Sequence, residues 1–277
     1  MPTTPVTVPA LQQMKRDGRK IAAVVCWDYQ MAQVADRAGV DIVSVGDTVG
    51  INLWGHDNPL QVTMEEMLIV AKAVRRGTRR ALVSVDFPFG PLQQGVDAAL
   101  AAALRFVKEA GVDMVKLDGA AAYPEAVAAI ARAGIPVFAQ FGITPQTALR
   151  HGVDYKSTLK VGVTLPPAMT AQLVAEAKAL EAAGASLLDF THSGPVAGPA
   201  VTAAVGIPVL GGMGGGPWLD GRLRMIHAAL GYAASAIDAP QDTYAQVAKT
   251  ALDAFTAFAE DVRAGRQIKG GIPVRAG

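Results

Sequence analysis

Residues 37–50, RAGVDIVSVGDTVG, decide the fold. Ala38 and Gly39 close a helix-like stretch, a β-branched apolar run follows at once, and that run stops on Gly46, Asp47 and Thr48. The device recurs as EAGVDMV (109–115), RAGIPVF (132–138), AAGASLL (182–188) and AVGIPVL (204–210). Each repeat puts a glycine where a helix stops, directly before the next strand.

Around these junctions the chain alternates. Short runs predict strands: IAAVVC (21–26), DIVSV (41–45), ALVSV (81–85), DMVKL (113–117), IPVFA (135–139), SLLDF (186–190) and IPVLG (207–211). Ala-rich stretches of helical periodicity separate them, and an eighth strand is expected in GYAASAI (231–237). Alternation of this kind builds a parallel sheet. About eight such units in a chain of 277 residues favour a closed α/β architecture, the (β/α)8 TIM barrel, over the alternative of an open doubly wound sheet. The reading is a single barrel domain over 1–277, with a helical extension at 1–20 and a long amphipathic C-terminal helix at 241–264.

Composition narrows the class of function. Hydrophobic residues make up 51% and charged ones 18%, enough for a large core. With 25 basic against 24 acidic residues there is no broad basic face for nucleic acid or an anionic membrane. The one cysteine, Cys26, excludes an internal disulfide and suits a reducing compartment. The N-terminus lacks the apolar core of a signal peptide, and no apolar run is long and clean enough to span a bilayer. A cytoplasmic protein acting on a small molecule is the expectation.

In such barrels chemistry sits at the C-terminal ends of the strands. Those ends carry Asp47 and Thr48, Asp86, Lys116 and Asp118, Gln140, and then Asp189, Thr191 and His192. Asp47, Asp86 and Asp118 form an all-oxygen set suited to Mg²⁺ or Mn²⁺ rather than zinc, because no paired His or Cys accompanies them. The competing reading of each Asp is a helix cap or turn residue. Lys116 lies within a buried strand and must meet an anion, either Asp118 or a neighbouring carboxylate in a structural ion pair, or a substrate carboxylate. The glycine run GGMGGGPWLDG (211–221) lacks an acidic residue at the ribose-binding distance, so it reads as backbone contact to an anion rather than as a dinucleotide site.

The segments DYQMAQVADRAGVDIVSVGDTVG (28–50), WGHDNPLQVTMEEM (54–67), AVRRG (73–77), DFPFG (86–90), AGVDMVKLDG (110–119), GITPQ (142–146), ALEAAGASLL (179–188) and LDGRLRMIHAALG (219–231) together resemble the ketopantoate (3-methyl-2-oxobutanoate) hydroxymethyltransferase family. That family lies within the phosphoenolpyruvate mutase and isocitrate lyase group of barrels, which act on 2-oxo acids through metal-stabilised enolates. The resemblance implies Asp47 and Asp86 as direct Mg²⁺ ligands and Asp118, where the family has Glu, as a ligand through water. It implies Thr48, where the family has Ser, and Lys116 as contacts to the oxo acid. It also implies 5,10-methylenetetrahydrofolate as co-substrate and a homo-oligomer.

Two positions depart from the pattern. The family has His where Gln140 stands, and a catalytic Glu base where Thr191 stands; a threonine cannot serve as base near neutral pH. Gln140 can still hydrogen-bond a substrate oxygen, and Thr191 remains a substrate contact. The base is then sought at His192, reaching in from a turn, or at Asp189, which shares a face with Thr191 one layer deeper and is expected to have a raised pKa. Three functions follow: hydroxymethyl transfer to a small 2-oxo acid, carbon–carbon cleavage by a divergent lyase or aldolase, or oxo-acid binding without turnover.

Overall fold

The computed structural model describes residues 4–155, 165–238 and 242–271. Its strands are β1 (Ile21–Val25), β2 (Ile42–Val45), β3 (Leu82–Asp86), β4 (Met114–Leu117), β5 (Val137–Gly142), β6 (Leu187–Thr191), β7 (Val209–Leu210) and β8 (Gly221–Met225). They form one parallel sheet in the order β7-β6-β5-β4-β3-β2-β1-β8. Backbone bonds from Asp220 N to Val209 O (2.9 Å) and from Leu223 N to Gly211 O (3.3 Å) link β7 to β8 and close the barrel. Strands β2 to β4 and β6 are buried at every residue, the mark of a parallel sheet covered on both faces.

The main helices of the described residues are α1 (Val8–Arg16), α2 (Tyr29–Ala38), α3 (Met64–Gly77), α4 (Val96–Arg105), α5 (Pro124–Arg132), α6 (Thr170–Ala182), α7 (Gly194–Ala204) and α8 (Val247–Arg263). Their ends follow the sequence. Asp28 caps α2 by accepting from Met31 N, and Gly39 ends it with φ 88°. Thr63 and Glu66 form a reciprocal capping box on α3.

The eighth strand differs from expectation. It is Gly221–Met225, whereas 231–237 holds a turn leading into a short helix at Ser235–Asp238. In GRLRM the exposed Arg222 and Arg224 alternate with buried Gly221 and Leu223, so this strand carries no continuous apolar run. Gly221 is also sterically required, since a Cβ there would lie 2.4 Å from Ile21 O on β1.

The chain forms two compact units that divide between Met225 and Ile226. The first contains the barrel. Inside it Phe141 stacks on Phe190 with ring centroids 4.6 Å apart, and Lys15 of α1 reaches Asp220 at 2.8 Å. The second contains α8, where the sequence predicts its long C-terminal helix. Among the described residues no helix is long and apolar enough to cross a membrane.

Candidate active site

The sheet register gathers the charged residues. Asp86 on β3 pairs in register with Lys116 on β4, and Gln140 on β5 pairs with Asp189 on β6. Because alternate residues of a strand face the same way, these side chains share the barrel interior near the C-terminal strand ends. All are buried.

Lys116 is the hub. Its Nζ donates to Gln140 Oε1 at 2.7 Å and lies 3.3 Å from Asp86 Oδ1 and 3.2 Å from Asp189 Oδ2. The Phe138 ring lies beneath it, 5.9 Å from Nζ to centroid. The ion pair therefore falls on Asp86 and Asp189, not on Asp118. Burial works against the ammonium charge, but the carboxylates, Asp86 and Asp189 foremost, outweigh it and hold the Lys116 pKa above the ordinary lysine range.

The other half of the amide continues the chain. Gln140 Nε2 donates to Thr191 Oγ1 at 3.0 Å, so one side chain ties the lysine to the end of β6. Asp189, two residues earlier on the same strand, keeps Oδ1 buried without a hydrogen-bond partner. Burial raises the Asp189 carboxyl above its usual range, with Lys116 opposing. His192 follows in the turn. Its φ of 58° makes it the non-glycine residue at positive φ among the described residues, and its backbone is pinned by donation to Met213 O at 2.7 Å and acceptance from Leu165 N at 3.0 Å.

Asp47 and Asp118 are held from the loop after β5. Gln146 Nε2 donates both to Asp47 Oδ2 at 2.8 Å and to Phe87 O at 2.9 Å, while its backbone N donates to Asp118 Oδ2 at 3.3 Å. Thr144 Oγ1 donates to the other oxygen of Asp118. Thr144 and Gln146 lie in GITPQ and are not among the residues the sequence marks out for chemistry. The available signal was a pair of polar side chains, two apart, directly beyond a buried strand end.

Burial, followed by the charges of Asp86 and Asp118, drives the Asp47 carboxyl well above its ordinary value. Asp86 is raised chiefly by burial against the pull of Lys116, and burial lifts Asp118 to about 7. Four buried carboxylates thus share one lysine. Among the described residues no three His, Cys, Asp or Glu side chains form a ready-made metal cluster. The donor set still fits a hard cation, because Asp47 and Asp86 are buried carboxylates, Asp86 Oδ1 has no hydrogen-bond partner beyond its ion pair with Lys116, and two protein oxygens suffice for an ion that keeps several waters.

Thr48 Oγ1 is likewise buried without a hydrogen-bond partner. Cys26, directly after β1, is buried, and burial pushes its thiol up to about 11. Trp218 donates to Ser193 Oγ at 3.2 Å and packs against Gly198 of α7, so it is part of the barrel wall. A cleft of about 290 Å³ is lined by Leu60, Pro145, Leu149 and Tyr155 together with Asp57 and Asp154. Tyr155 stands close enough to Asp47 for that carboxylate to add to the rise that burial imposes on its phenol.

Known proteins resemble this chain along most of its length. A family model described as ketopantoate hydroxymethyltransferase matches residues 5–267. The 3-methyl-2-oxobutanoate hydroxymethyltransferase of Salinibacter ruber is 38% identical over 258 residues, covering 93% of this chain and 95% of its own. That of a Cyanothece species is 37% identical over 93% of this chain and 96% of its own. Among solved structures, phosphonopyruvate hydrolase in complex with oxalate and Mg²⁺ superposes with a TM-score of 0.61 at 14% identity, over 97% of this chain and 92% of that one. The 2,3-dimethylmalate lyase, a member of the phosphoenolpyruvate mutase/isocitrate lyase superfamily, gives 0.61 at 16% identity, over 96% and 92%. These two likenesses are of fold. A family match over nearly the whole length, together with relatives well above a third identical, means that the chain belongs to the ketopantoate hydroxymethyltransferase family.

Proposed function

We propose that the protein forms ketopantoate by transferring a hydroxymethyl group to 3-methyl-2-oxobutanoate, with 5,10-methylenetetrahydrofolate as the one-carbon donor and water supplying the new hydroxyl oxygen. The observation that carries this reading is the set of Asp47, Asp86, Asp118 and Asp189 around a single buried Lys116. So much buried negative charge is stable only with a further cation or with protons. We assign Asp47 and Asp86 as direct ligands of Mg²⁺ or Mn²⁺, and Asp118 as a ligand through water.

When bound, the cation supplies Lewis-acid polarisation of the substrate's 2-oxo group. Lys116 meets the negative oxygen of the oxo acid, and its hydrogen bond to Gln140 fixes where the ammonium points. Thr48 offers an unpartnered hydroxyl to the substrate carboxylate. Thr191, held by Gln140, lines the end of β6 as a substrate contact rather than a base. The proton on the carbon beside the ketone needs an acceptor, and Asp189 and His192 are the candidates. The cleft beside Tyr155, which mixes apolar side chains with Asp57, Asn58 and Asp154, offers a place for part of the second reactant.

The exposed stripe Leu252, Phe255, Phe258 and Val262 on α8 supports a homo-oligomer, since these residues recur at helical spacing on one face. The single free cysteine supports a reducing, cytoplasmic setting. A second reading, carbon–carbon cleavage by a lyase, is favoured by Thr191, because an enolate made by cleavage needs no proton taken from carbon.

The test is ketopantoate formation from both substrates with Mg²⁺ and with EDTA, paired with calorimetric Mg²⁺ titration of Asp47→Ala and Asp86→Ala. Product that depends on the cation, and affinity lost in both variants, is the expected result. Unchanged affinity in both variants would sink the metal assignment, and absence of product would sink the transferase reading.

A further inference from the structure

We propose that Asp189 is the general base of this site, taking over from a strand end where Thr191 cannot accept a proton. The inference rests on the enolisation reading above and names the residue that performs it. The carboxylate stands two positions earlier on β6 than the place where a base is expected, on the same face of the strand.

Three observations carry it. Asp189 Oδ1 is buried and has no hydrogen-bond partner, whereas Oδ2 is held 3.2 Å from Lys116 Nζ. An unsatisfied buried carboxylate oxygen is costly, so a fold that retains one needs a reason, and an oxygen reserved for a proton is such a reason. Lys116 also touches Asp86 and Gln140, so Asp189 belongs to the same polar cluster as the assigned metal ligand and not to a remote part of the core. Burial raises its carboxyl toward the proton affinity that a base requires; the charged groups that face it are Lys116, which opposes the rise, and Asp86 beyond it.

The charge balance closes within the cluster. The carbon–hydrogen bond beside the ketone breaks, and its proton goes to Asp189 Oδ1. The bonding pair becomes the carbon–carbon π bond of the enolate, while the carbonyl π pair moves onto the oxo oxygen. Negative charge therefore leaves Asp189 and appears on the substrate oxygen. The Lys116 ammonium answers both states, so one buried cation needs no replacement as the charge moves. Return of a solvent-derived proton from Asp189 to carbon reverses the step.

The test is proton NMR in D₂O with the full-length protein, Mg²⁺ and 3-methyl-2-oxobutanoate, following the hydrogen on the carbon beside the ketone. Exchange by the wild type tests the enolisation reading; the ratio of Asp189→Asn to wild type tests this inference. We expect Asp189→Asn to slow exchange by about 100-fold or more while calorimetric oxo-acid affinity stays within about threefold. Recovery of exchange in Asp189→Asn combined with Thr191→Glu, which returns a carboxylate to the strand end, supports the relocation. Exchange in Asp189→Asn within about threefold of wild type overturns the proposal. So does a loss of exchange matched by an equal loss of oxo-acid binding, which would make Asp189 a holder of Lys116 and no base. A wild type that exchanges nothing overturns both readings.

Discussion

Lys116 Nζ and Asp189 Oδ2 meet at 3.2 Å, both buried, with Asp86 Oδ1 3.3 Å from the same nitrogen. Lys116→Met removes the cation paired with two interior carboxylates, and breaking a buried pair from one side costs roughly 3–5 kcal/mol. Urea unfolding near neutral pH is expected to show that loss. Adding Asp189→Leu to Lys116→Met restores part of it. The folded pKa of Lys116 is raised above the ordinary lysine value of 10.5, so its contribution is fully present below that pH and fades only as pH climbs through the higher folded value.

Metal-free protein loses stability as pH rises. Burial lifts the Asp118 carboxyl from 3.8 to about 7, and Asp47, Asp86 and Asp189 move in the same direction. Below the unfolded value each group is protonated in both states and folding is not penalised. Between about 4 and about 7 the unfolded chain has released a proton that the folded chain keeps, so unfolding gains, up to about 4 kcal/mol for Asp118. In EDTA the thermal midpoint is expected to fall from pH 5 to pH 8, and Mg²⁺ is expected to restore it at pH 8. A midpoint that rises over this range in EDTA refutes the prediction.

Gln146→Ala strips Asp47 Oδ2 and Phe87 O of a shared donor. The fold is expected to lose about 1–3 kcal/mol. With Asp47 no longer oriented, Mg²⁺ affinity is expected to drop about 10–100-fold by calorimetry. Gln146→Glu, which replaces a donor by a fifth carboxylate, is expected to be the more destabilising of the two in EDTA.

Gly142 opens the GITPQ segment with φ 93°, and a Cβ there would lie 2.4 Å from Thr191 O. Gly142→Ala combines left-handed backbone strain with a collision against backbone that cannot rotate away. A loss of about 2–4 kcal/mol is expected in chemical unfolding. Displacement of Thr191 is expected to lower turnover beyond what reduced folding accounts for.

On α8, Phe255 and Phe258 are 72% and 51% exposed. Phe255→Asp with Phe258→Asp is expected to yield a smaller species by sedimentation velocity. Far-ultraviolet circular dichroism is expected to stay that of wild type, because neither ring is buried within the chain. An unchanged sedimentation coefficient would refute a subunit contact through α8.

Seven strands were legible because each is a short, mainly apolar run, and five of them follow a glycine at the preceding helix end. The eighth was not, because Arg222 and Arg224 point outward and break the run. The carboxylates and Lys116 were legible from their place at strand ends. Their pairing was not: Asp118 lies two residues from Lys116, yet Thr144 and Gln146 engage Asp118, while the lysine turns to Asp86 and Asp189 on other strands. Spacing along one strand says which residues share a face, whereas partners across a barrel depend on the register of four strands at once.

The close approach of Gly221 to Ile21 O also bears on inheritance. A lineage drifting under selection for catalysis alone would still be barred from every larger residue at position 221, which bears no reacting group. Invariance there would report the closing of a ring. Position 191, where the reaction would be felt most directly, is the one at which related chains could differ while the ring stays shut.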